Sequence, residues 1–236
     1  MTVQATRTAT RRAPIAVALD APDLATALCW AAAVDPHVAV LKVGLELFYR
    51  VGPEGVRALR ERIDAELFLD LKLHDIPATV AGAARSVAPL APRYLTVHAA
   101  GGSAMVRAAT EAAPNVWIAA VTVLTSLTGS DLGAVGLTGS PVDVVRRLAA
   151  LGVAAGARAV VCSPMEVAAV RAEVGPEITL ITPGVRPAGT SGQDQARVAT
   201  PRGAIDAGAD LLVIGRPVTE AADPGTAVAA IAASLQ

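Results

Sequence analysis

Eight short apolar segments recur along the chain, and stretches with the mixed polar and apolar patterning of helices separate them. The segments cover residues 15–20, 38–43, 66–72, 94–99, 116–124, 157–163, 177–184 and 209–215. Nearly all of them are continuously apolar, as parallel strands covered by helices on both faces should be. Eight strand–helix units in succession predict an α/β fold, a single (β/α)8 TIM barrel.

An open, doubly wound sheet is the alternative arrangement for such units. That fold has a glycine-rich turn of the form G-x-G-x-x-G after its first strand. The first segment here leads instead into ALDAPD, residues 18–23, which contains no glycine. A chain of 236 residues suits one barrel, which we expect to occupy residues 14–236, because barrels of this size are often a single domain.

The N-terminal residues 1–13 are basic, rich in threonine and free of acidic residues. They superficially resemble a transit peptide but lack the apolar core of a secretory signal, so we predict a disordered arm before the first strand. Cys29 and Cys162 are isolated from each other in apolar surroundings, which predicts two buried free thiols and a reducing cytoplasmic location.

The charge balance restricts the partners of the chain. A formal net charge of −1 gives no basic field for nucleic acid, and no block of like charges suggests a membrane surface. No continuous apolar run reaches the length of about 18 residues that would indicate a membrane-spanning helix. We therefore expect a small-molecule ligand or a second copy of the chain as the partner.

Lysine is rare in this sequence, and both lysines stand where an apolar strand should end. They are Lys42 and Lys72, while the other basic residues are arginines. An ammonium is compact and can hand over a proton, whereas a guanidinium is planar and permanently charged. We therefore interpret both lysines as functional residues.

The chemistry of a (β/α)8 barrel belongs at the carboxyl ends of its strands. Residues i and i+2 of a strand point to the same face, so Asp70 and Lys72 should project together into the mouth. An ammonium held between carboxylates can stabilise a carbanion and then protonate it without a metal or organic cofactor. A structural ion-pair network is the alternative. The polar residues predicted at the strand ends are Asp20, Lys42, Asp70, Lys72, Asp75, His98, Thr125 and Arg216.

A second pattern indicates a phosphate site after the last two strands. Strand eight ends in Gly215-Arg216 where a helix should begin, and barrels often bind phosphate at this position through free backbone N–H groups. The preceding loop, roughly residues 183–198, contains Arg186, Gln193 and Gln195. It could form a lid over the phosphate, although an ordinary surface loop would also fit.

Six motifs together resemble the bacterial branch of the orotidine 5′-phosphate decarboxylase family. They are ALD (18–20), LKVG (41–44), FLDLKLHDIPATV (68–80), AVTVLTS (120–126), TPGVRP (182–187) and VIGRPVT (213–219), in order from about Ile15 to the C-terminus. The resemblance implies conversion of orotidine 5′-phosphate to uridine 5′-phosphate and CO₂, the last step of de novo pyrimidine biosynthesis. In this family a lysine that matches Lys72 stabilises and protonates a C6 carbanion, and no cofactor takes part.

The resemblance also implies roles for the residues around Lys72. Asp70 would lie beside the departing carboxylate, and Lys42 would bridge Asp70 and the ribose. Asp20 would hold the ribose hydroxyls, and Thr125 would lie near the pyrimidine ring. The matches to phosphate and lid contacts are Pro183, Arg186, Gln195, Gly215 and Arg216, with Gln193 as the competing choice for Gln195.

A homodimer is implied as well. The family residues that match Asp75, Ile76 and Thr79 reach into the active site of the partner subunit, so each dimer would have two shared sites.

Three alternatives stay open at this point. Hexulose phosphate synthases and keto-gulonate phosphate decarboxylases also keep D-x-K-x-x-D, but they use magnesium and favour small residues where Ile76 and Pro77 follow Asp75 here. A catalytically silent phosphate-binding barrel would give no reason for Lys72 and its two carboxylates. A purely structural role would depend on the dimer surface alone.

Overall fold

The computed structural model describes residues 12–186 and 199–235 of the chain. Its eight strands are all parallel to their neighbours and follow one another in sequence order around a closed barrel, in which β1 pairs with β8. The predicted (β/α)8 barrel is therefore confirmed. The strands are β1 (Ala13–Ala18), β2 (Val38–Gly44), β3 (Glu66–Leu73), β4 (Tyr94–His98), β5 (Trp117–Val121), β6 (Ala159–Val161), β7 (Thr179–Thr182) and β8 (Leu211–Ile214).

Helices connect the strands on the outside of the barrel. Several begin at a polar N-cap followed by proline, as at Ser140 and Asp223, whose side chains accept backbone N–H bonds from the first turn. The helices are α1 (Leu24–Val34), α2 (Leu45–Arg60), α3 (Pro77–Val87), α4 (Ser103–Ala112), α5 (Gly129–Ala134), α6 (Pro141–Ala154), α7 (Val167–Val174), α8 (Pro201–Asp206), α9 (Arg216–Thr219) and α10 (Pro224–Ala233). None of the helices in the described ranges is long and apolar enough to cross a membrane.

The barrel interior is filled by a cluster of buried side chains to which every strand contributes one residue. Phe68 and Tyr94 are its largest members, and their rings lie edge to face with 5.7 Å between centroids. Alanines on β1, β5 and β6 leave room for these two rings, so the barrel is plugged below its mouth. The cluster consists of Ala16, Val40, Phe68, Tyr94, Ala119, Ala159, Ile181 and Leu211.

The predicted strands start close to the observed ones, and six of the eight extend too far at their carboxyl ends, whereas β2 and β3 run one residue beyond their predicted ends. The fifth segment, predicted over 116–124, forms a ladder only over Trp117–Val121, and the sixth, predicted over 157–163, only over Ala159–Val161. The apolar pattern continues past the last ladder hydrogen bond because these residues still line the barrel mouth.

Two predictions concern the surface and the N-terminus. Cys162 is buried as expected, but Cys29 is exposed on α1, because that helix is apolar on its outer face too.

Residues 1–11 of the predicted arm lie outside the described residues. Arg12 contacts Asp35 and Asp64 at 3.4 and 3.6 Å, and Ala13 already belongs to β1. The division of the chain at residue 14 stays a prediction.

Candidate active site

A cavity of about 450 Å³ opens at the carboxyl ends of the strands. Its position is the one that the barrel fold predicts for chemistry. Its wall combines charged residues from the first three strands with valine, leucine and isoleucine side chains from later strands. The predicted site residues that line it are Asp20, Lys42, Asp70, Lys72, Thr125, Pro183, Arg186, Gly215 and Arg216.

Four charged side chains form a row of alternating sign in this cavity. Lys42 Nζ lies 3.4 Å from an Asp20 oxygen and 3.5 Å from Asp70 Oδ2. Lys72 Nζ donates to Asp70 Oδ1 at 2.8 Å. Lys42 is buried, whereas the Lys72 side chain is 30% exposed toward the cavity. Lys72 is therefore the more accessible of the two ammonium groups, and a carboxylate holds it.

Asp70 is the central carboxylate of the row and stays ionised. Burial is the largest influence on its pKa and raises it. The charges of Lys42 and Lys72, together with hydrogen bonds from Lys72 and Thr96, outweigh burial and hold the pKa of Asp70 below its ordinary value. A negative charge is thus fixed next to the place where a ligand would meet Lys72.

Strand β3 departs from a regular ladder where it supplies Asp70 and Lys72. Leu69 pairs with Leu95 and Leu73 with Val97, so three residues of β3 face a single residue of β4, Thr96. The backbone of Lys72 has φ +48°, in the left-handed region that residues other than glycine rarely adopt. The predicted meeting of Asp70 and Lys72 is observed, but a bulge rather than simple alternation produces it.

Thr96 and Gly44 belong to this site, and the sequence analysis missed both. Thr96 Oγ1 accepts a hydrogen bond from the Lys72 backbone N–H and donates one to Asp70. A Cβ atom on Gly44 would lie 2.6 Å from Asp20 Oδ1 and 2.9 Å from Lys42 Nζ. A lone threonine in the apolar strand YLTVH and the glycine ending LKVG were the available signals.

Apolar side chains form the opposite side of the cavity. They lower the polarity on that side of the cavity, which strengthens the electrostatic interactions of the charged row. Burial raises the pKa of the Cys162 thiol to about 12, so this wall residue is a packing residue and not a nucleophile. The apolar wall includes Val121, Val123, Leu124, Val161, Ile181 and Val213.

The predicted phosphate residues Arg186, Gly215 and Arg216 line the same cavity, from the loops after β7 and β8. Arg216 begins α9 directly after Gly215, and Arg186 stands at the edge of the loop after β7. The backbone N–H of Arg186 donates to the Ala199 carbonyl at 3.0 Å, which brings the two ends of that loop together. Gln193 and Gln195, the two lid candidates, lie outside the described residues.

Asp75, Ile76 and Thr79 lie on the protomer surface and do not line its cavity. The Ile76 backbone N–H donates to Asp75 Oδ1 at 2.6 Å just before α3 begins. Ile76 is 65% exposed, which is unusual for a large apolar side chain. The three residues are thus presented outward by one protomer.

His98 ends β4 beside the cavity, with its ring 5.3 Å from that of His74. Burial is the main cause that lowers the pKa of His98, and the nearby His74 and Lys72 lower it further. His98 is not among the residues that line the cavity, so the structure does not join it to the charged row.

Comparison with known proteins identifies the family. Residues 13–231 match the model of the "Orotidine 5'-phosphate decarboxylase / HUMPS family". Proteins named orotidine 5′-phosphate decarboxylase are 72% identical in Thermobifida fusca, covering 95% of this chain and 96% of the relative, and 63% identical in Frankia casuarinae, covering 95% and 88%. A crystal structure of the orotidine 5′-phosphate decarboxylase from Lactobacillus acidophilus superposes with a TM-score of 0.84 at 34% identity, covering 95% of this chain and 99% of that one. The chain therefore belongs to the orotidine 5′-phosphate decarboxylase / HUMPS family of enzymes.

Proposed function

We propose that this chain converts orotidine 5′-phosphate to uridine 5′-phosphate and CO₂, the last step of de novo pyrimidine biosynthesis. The observation that carries the proposal is the row of four alternating charges at the barrel mouth, in a chain whose relatives of high identity have that activity in their names. The expected location of the reaction is the cytoplasm.

Lys72 is the proposed proton donor. The bond between C6 and the carboxylate carbon breaks, its electron pair stays on C6, and CO₂ leaves. The Lys72 ammonium stabilises that negative charge and then transfers one proton to C6, after which it regains a proton from solvent. The hydrogen bond of 2.8 Å to Asp70 holds the ammonium in one place before the carbanion forms.

Asp70, Lys42 and Asp20 have supporting roles in this proposal. Asp70 would lie next to the departing carboxylate, where its ionised state is maintained by the two lysines. Lys42 contacts both Asp20 and Asp70, so it can separate their negative charges and reach the ribose. Asp20 is half exposed at the cavity edge, as a carboxylate that binds ribose hydroxyls needs to be.

Binding of the substrate phosphate is proposed for the loops after β7 and β8, which line the same cavity. Arg186 and Arg216 supply guanidinium groups that match a phosphate geometrically, and Pro183 and Gly215 shape the loops that hold them. Gln195, or Gln193 in its place, would complete the site from the loop after β7. Phosphate binding by these loops can orient the ring at Lys72 without taking part in the chemistry.

The active unit is proposed to be a homodimer. Asp75, Ile76 and Thr79 are exposed and do not line their own cavity, and the exposed side chain of Ile76 suits burial against a second copy. In the dimer these residues would complete the cavity of the partner subunit. Asp75 of one subunit would then add a second carboxylate next to Lys72 of the other subunit. Thr125 would lie beside the pyrimidine ring in the cavity of its own subunit.

A substrate comparison tests the proposal against the magnesium-dependent sugar-phosphate activities of related barrels. Purified protein is assayed with orotidine 5′-phosphate in EDTA, and with hexulose and keto-gulonate phosphates in magnesium. We expect loss of orotidine 5′-phosphate absorbance in EDTA and no turnover of either sugar phosphate. Activity on a sugar phosphate and none on orotidine 5′-phosphate would contradict the proposal and assign the chain to a magnesium-dependent sugar-phosphate reaction.

A further inference from the structure

Thr96 occupies a singular place in the site, since it is the one residue of β4 that faces the three bulged residues of β3. We propose that Thr96 is a positioning residue for decarboxylation, because its hydroxyl fixes the backbone of Lys72 and the carboxylate of Asp70 at the same time. The proposal rests on the proposed function and assigns a role to a residue outside the charged row.

The hydrogen bonds around Thr96 form a closed circuit. The Lys72 backbone N–H donates to Thr96 Oγ1 at 2.8 Å, and Oγ1 donates to Asp70 Oδ1 at 3.0 Å. The same Oδ1 accepts from Lys72 Nζ at 2.8 Å. Both ends of Lys72 are therefore tied to one carboxylate oxygen, directly through the ammonium and indirectly through the hydroxyl.

The bulge makes the hydroxyl necessary for this backbone position. In a regular parallel ladder a carbonyl of the neighbouring strand would accept the backbone N–H of Lys72. Here the register shift between Leu69 and Leu73 displaces that ladder bond, and the side-chain oxygen of Thr96 takes its place. It holds Lys72 at φ +48°, a conformation that persists only where the surroundings impose it. Thr96 is fully buried, so bulk water is not at hand to replace its hydroxyl.

A buried threonine with a purely structural role makes a different contact in this protein. Thr122 follows β5 and is 4% exposed, and its hydroxyl donates to the Val161 carbonyl at 2.8 Å. That bond joins two backbone segments and reaches no charged side chain. Thr122 thus gives a matched control, because replacing it with valine removes a buried hydroxyl without altering the charged row.

The isosteric change Thr96→Val removes both hydrogen bonds, whereas Thr96→Ser retains both donor and acceptor. Hydrogen bonds to charged groups are strong enough that their loss in a transition state changes rates by about tenfold to hundredfold. We expect Thr96→Val to lower kcat by that factor and to leave the dissociation constant of uridine 5′-phosphate near that of the unmodified chain. Thr96→Ser should restore most of the turnover, and Thr122→Val should keep the turnover of the unmodified chain.

The pH profile provides a readout that general loosening of the fold would not move. The hydrogen bond from Thr96 helps to lower the pKa of Asp70, so its removal should raise that pKa. If catalysis needs ionised Asp70, the acidic limb of kcat/KM should shift to higher pH in Thr96→Val and not in Thr122→Val.

The experiment therefore compares the unmodified chain, Thr96→Val, Thr96→Ser and Thr122→Val for kcat, product affinity and pH profile. If Thr96→Val fails to fold, Thr96→Ala removes the same hydroxyl, and the same three quantities are measured for that variant instead. Equal turnover and an unshifted acidic limb in the variant without the hydroxyl would overturn the proposal, as would failure of serine to restore activity. Absence of orotidine 5′-phosphate turnover by the unmodified chain would reject the proposed function, and the role of Thr96 with it.

Discussion

At the scale of the residue, the site depends on one carboxylate that serves two ammonium groups. Asp70 contacts Lys42 and Lys72 through different oxygens, and its side chain is only 15% exposed. Removing one member of such a buried group leaves the remaining charges without compensation in a medium of low polarity. The stability of the folded chain and the position of Lys72 should therefore both respond to a change at Asp70.

We predict that Asp70→Asn abolishes most activity and lowers the free energy of unfolding at neutral pH by about 3 kcal/mol, because two ammonium groups lose their common partner. The pKa of Asp70 is depressed on folding, so its stabilising contribution is present above its ordinary value of 3.8 and is lost as the pH falls through the lower folded value. Urea unfolding at several pH values measures this. The difference in the free energy of unfolding between the variant and the unmodified chain should narrow as the pH falls through the folded pKa of Asp70.

The control for this change is Asp206→Asn, which breaks the exposed helical pair of Asp206 with Arg202. An exposed pair contributes little, so its loss should cost less than about 1 kcal/mol at any pH. Equal stability losses in the two variants at neutral pH would contradict the account of Asp70.

At the scale of the element, the sequence predicts some of the residues at the strand ends and not others. Strand order and the end-of-strand positions of Lys42 and Lys72 follow from the apolar segments, and the structure brings both lysines to Asp70. The roles of Thr96 and Gly44 could not be predicted, because they depend on a register shift and on distances between elements. Neither property leaves a periodic signal in a single strand.

The junction of β2 and α2 gives an element-scale prediction. A methyl group on Gly44 would overlap the Asp20 carboxylate and the Lys42 ammonium, so Gly44→Ala must displace one of them. Small displacements of catalytic groups can lower rates on the order of a hundredfold, and we expect a fall in kcat/KM approaching this size. Steady-state kinetics measures it.

A matched alanine substitution separates this effect from the general effect of losing a glycine. Gly133 lies in α5, and a Cβ atom there meets nothing within 4 Å. Gly133→Ala should leave kcat/KM unchanged. An undiminished kcat/KM in Gly44→Ala would show that the charged row tolerates the displacement.

At the scale of the whole molecule, the proposed active-site residues that follow the first five strands fall into two groups within one protomer. The charged row and Thr125 face its own cavity, whereas Asp75 and the neighbouring Ile76 face outward. If the outward group completes the partner's cavity, each active site contains residues from two chains.

Subunit mixing tests this arrangement. Lys72→Ala and Asp75→Asn homodimers should each be nearly inactive, because every site in them lacks one essential residue. After equal mixing and subunit exchange, half of the dimers would be hybrids with one intact site, so activity should recover to about a quarter of that of the unmodified dimer. Mass spectrometry verifies that the subunits have exchanged. If activity does not recover after verified exchange, Asp75 does not belong to the partner's site.

The most direct test of the central claim is the fall in ultraviolet absorbance of orotidine 5′-phosphate in EDTA, measured for the unmodified chain and for Lys72→Ala. Enzymes typically accelerate reactions by up to about 10¹⁷-fold, and the charged row should lose several orders of magnitude of the enhancement without Lys72, its proposed proton donor. We predict rapid loss with the unmodified chain and almost none with a correctly folded Lys72→Ala variant. Comparable rates for the two proteins would contradict the account, because the carbanion would then be stabilised and protonated without Lys72.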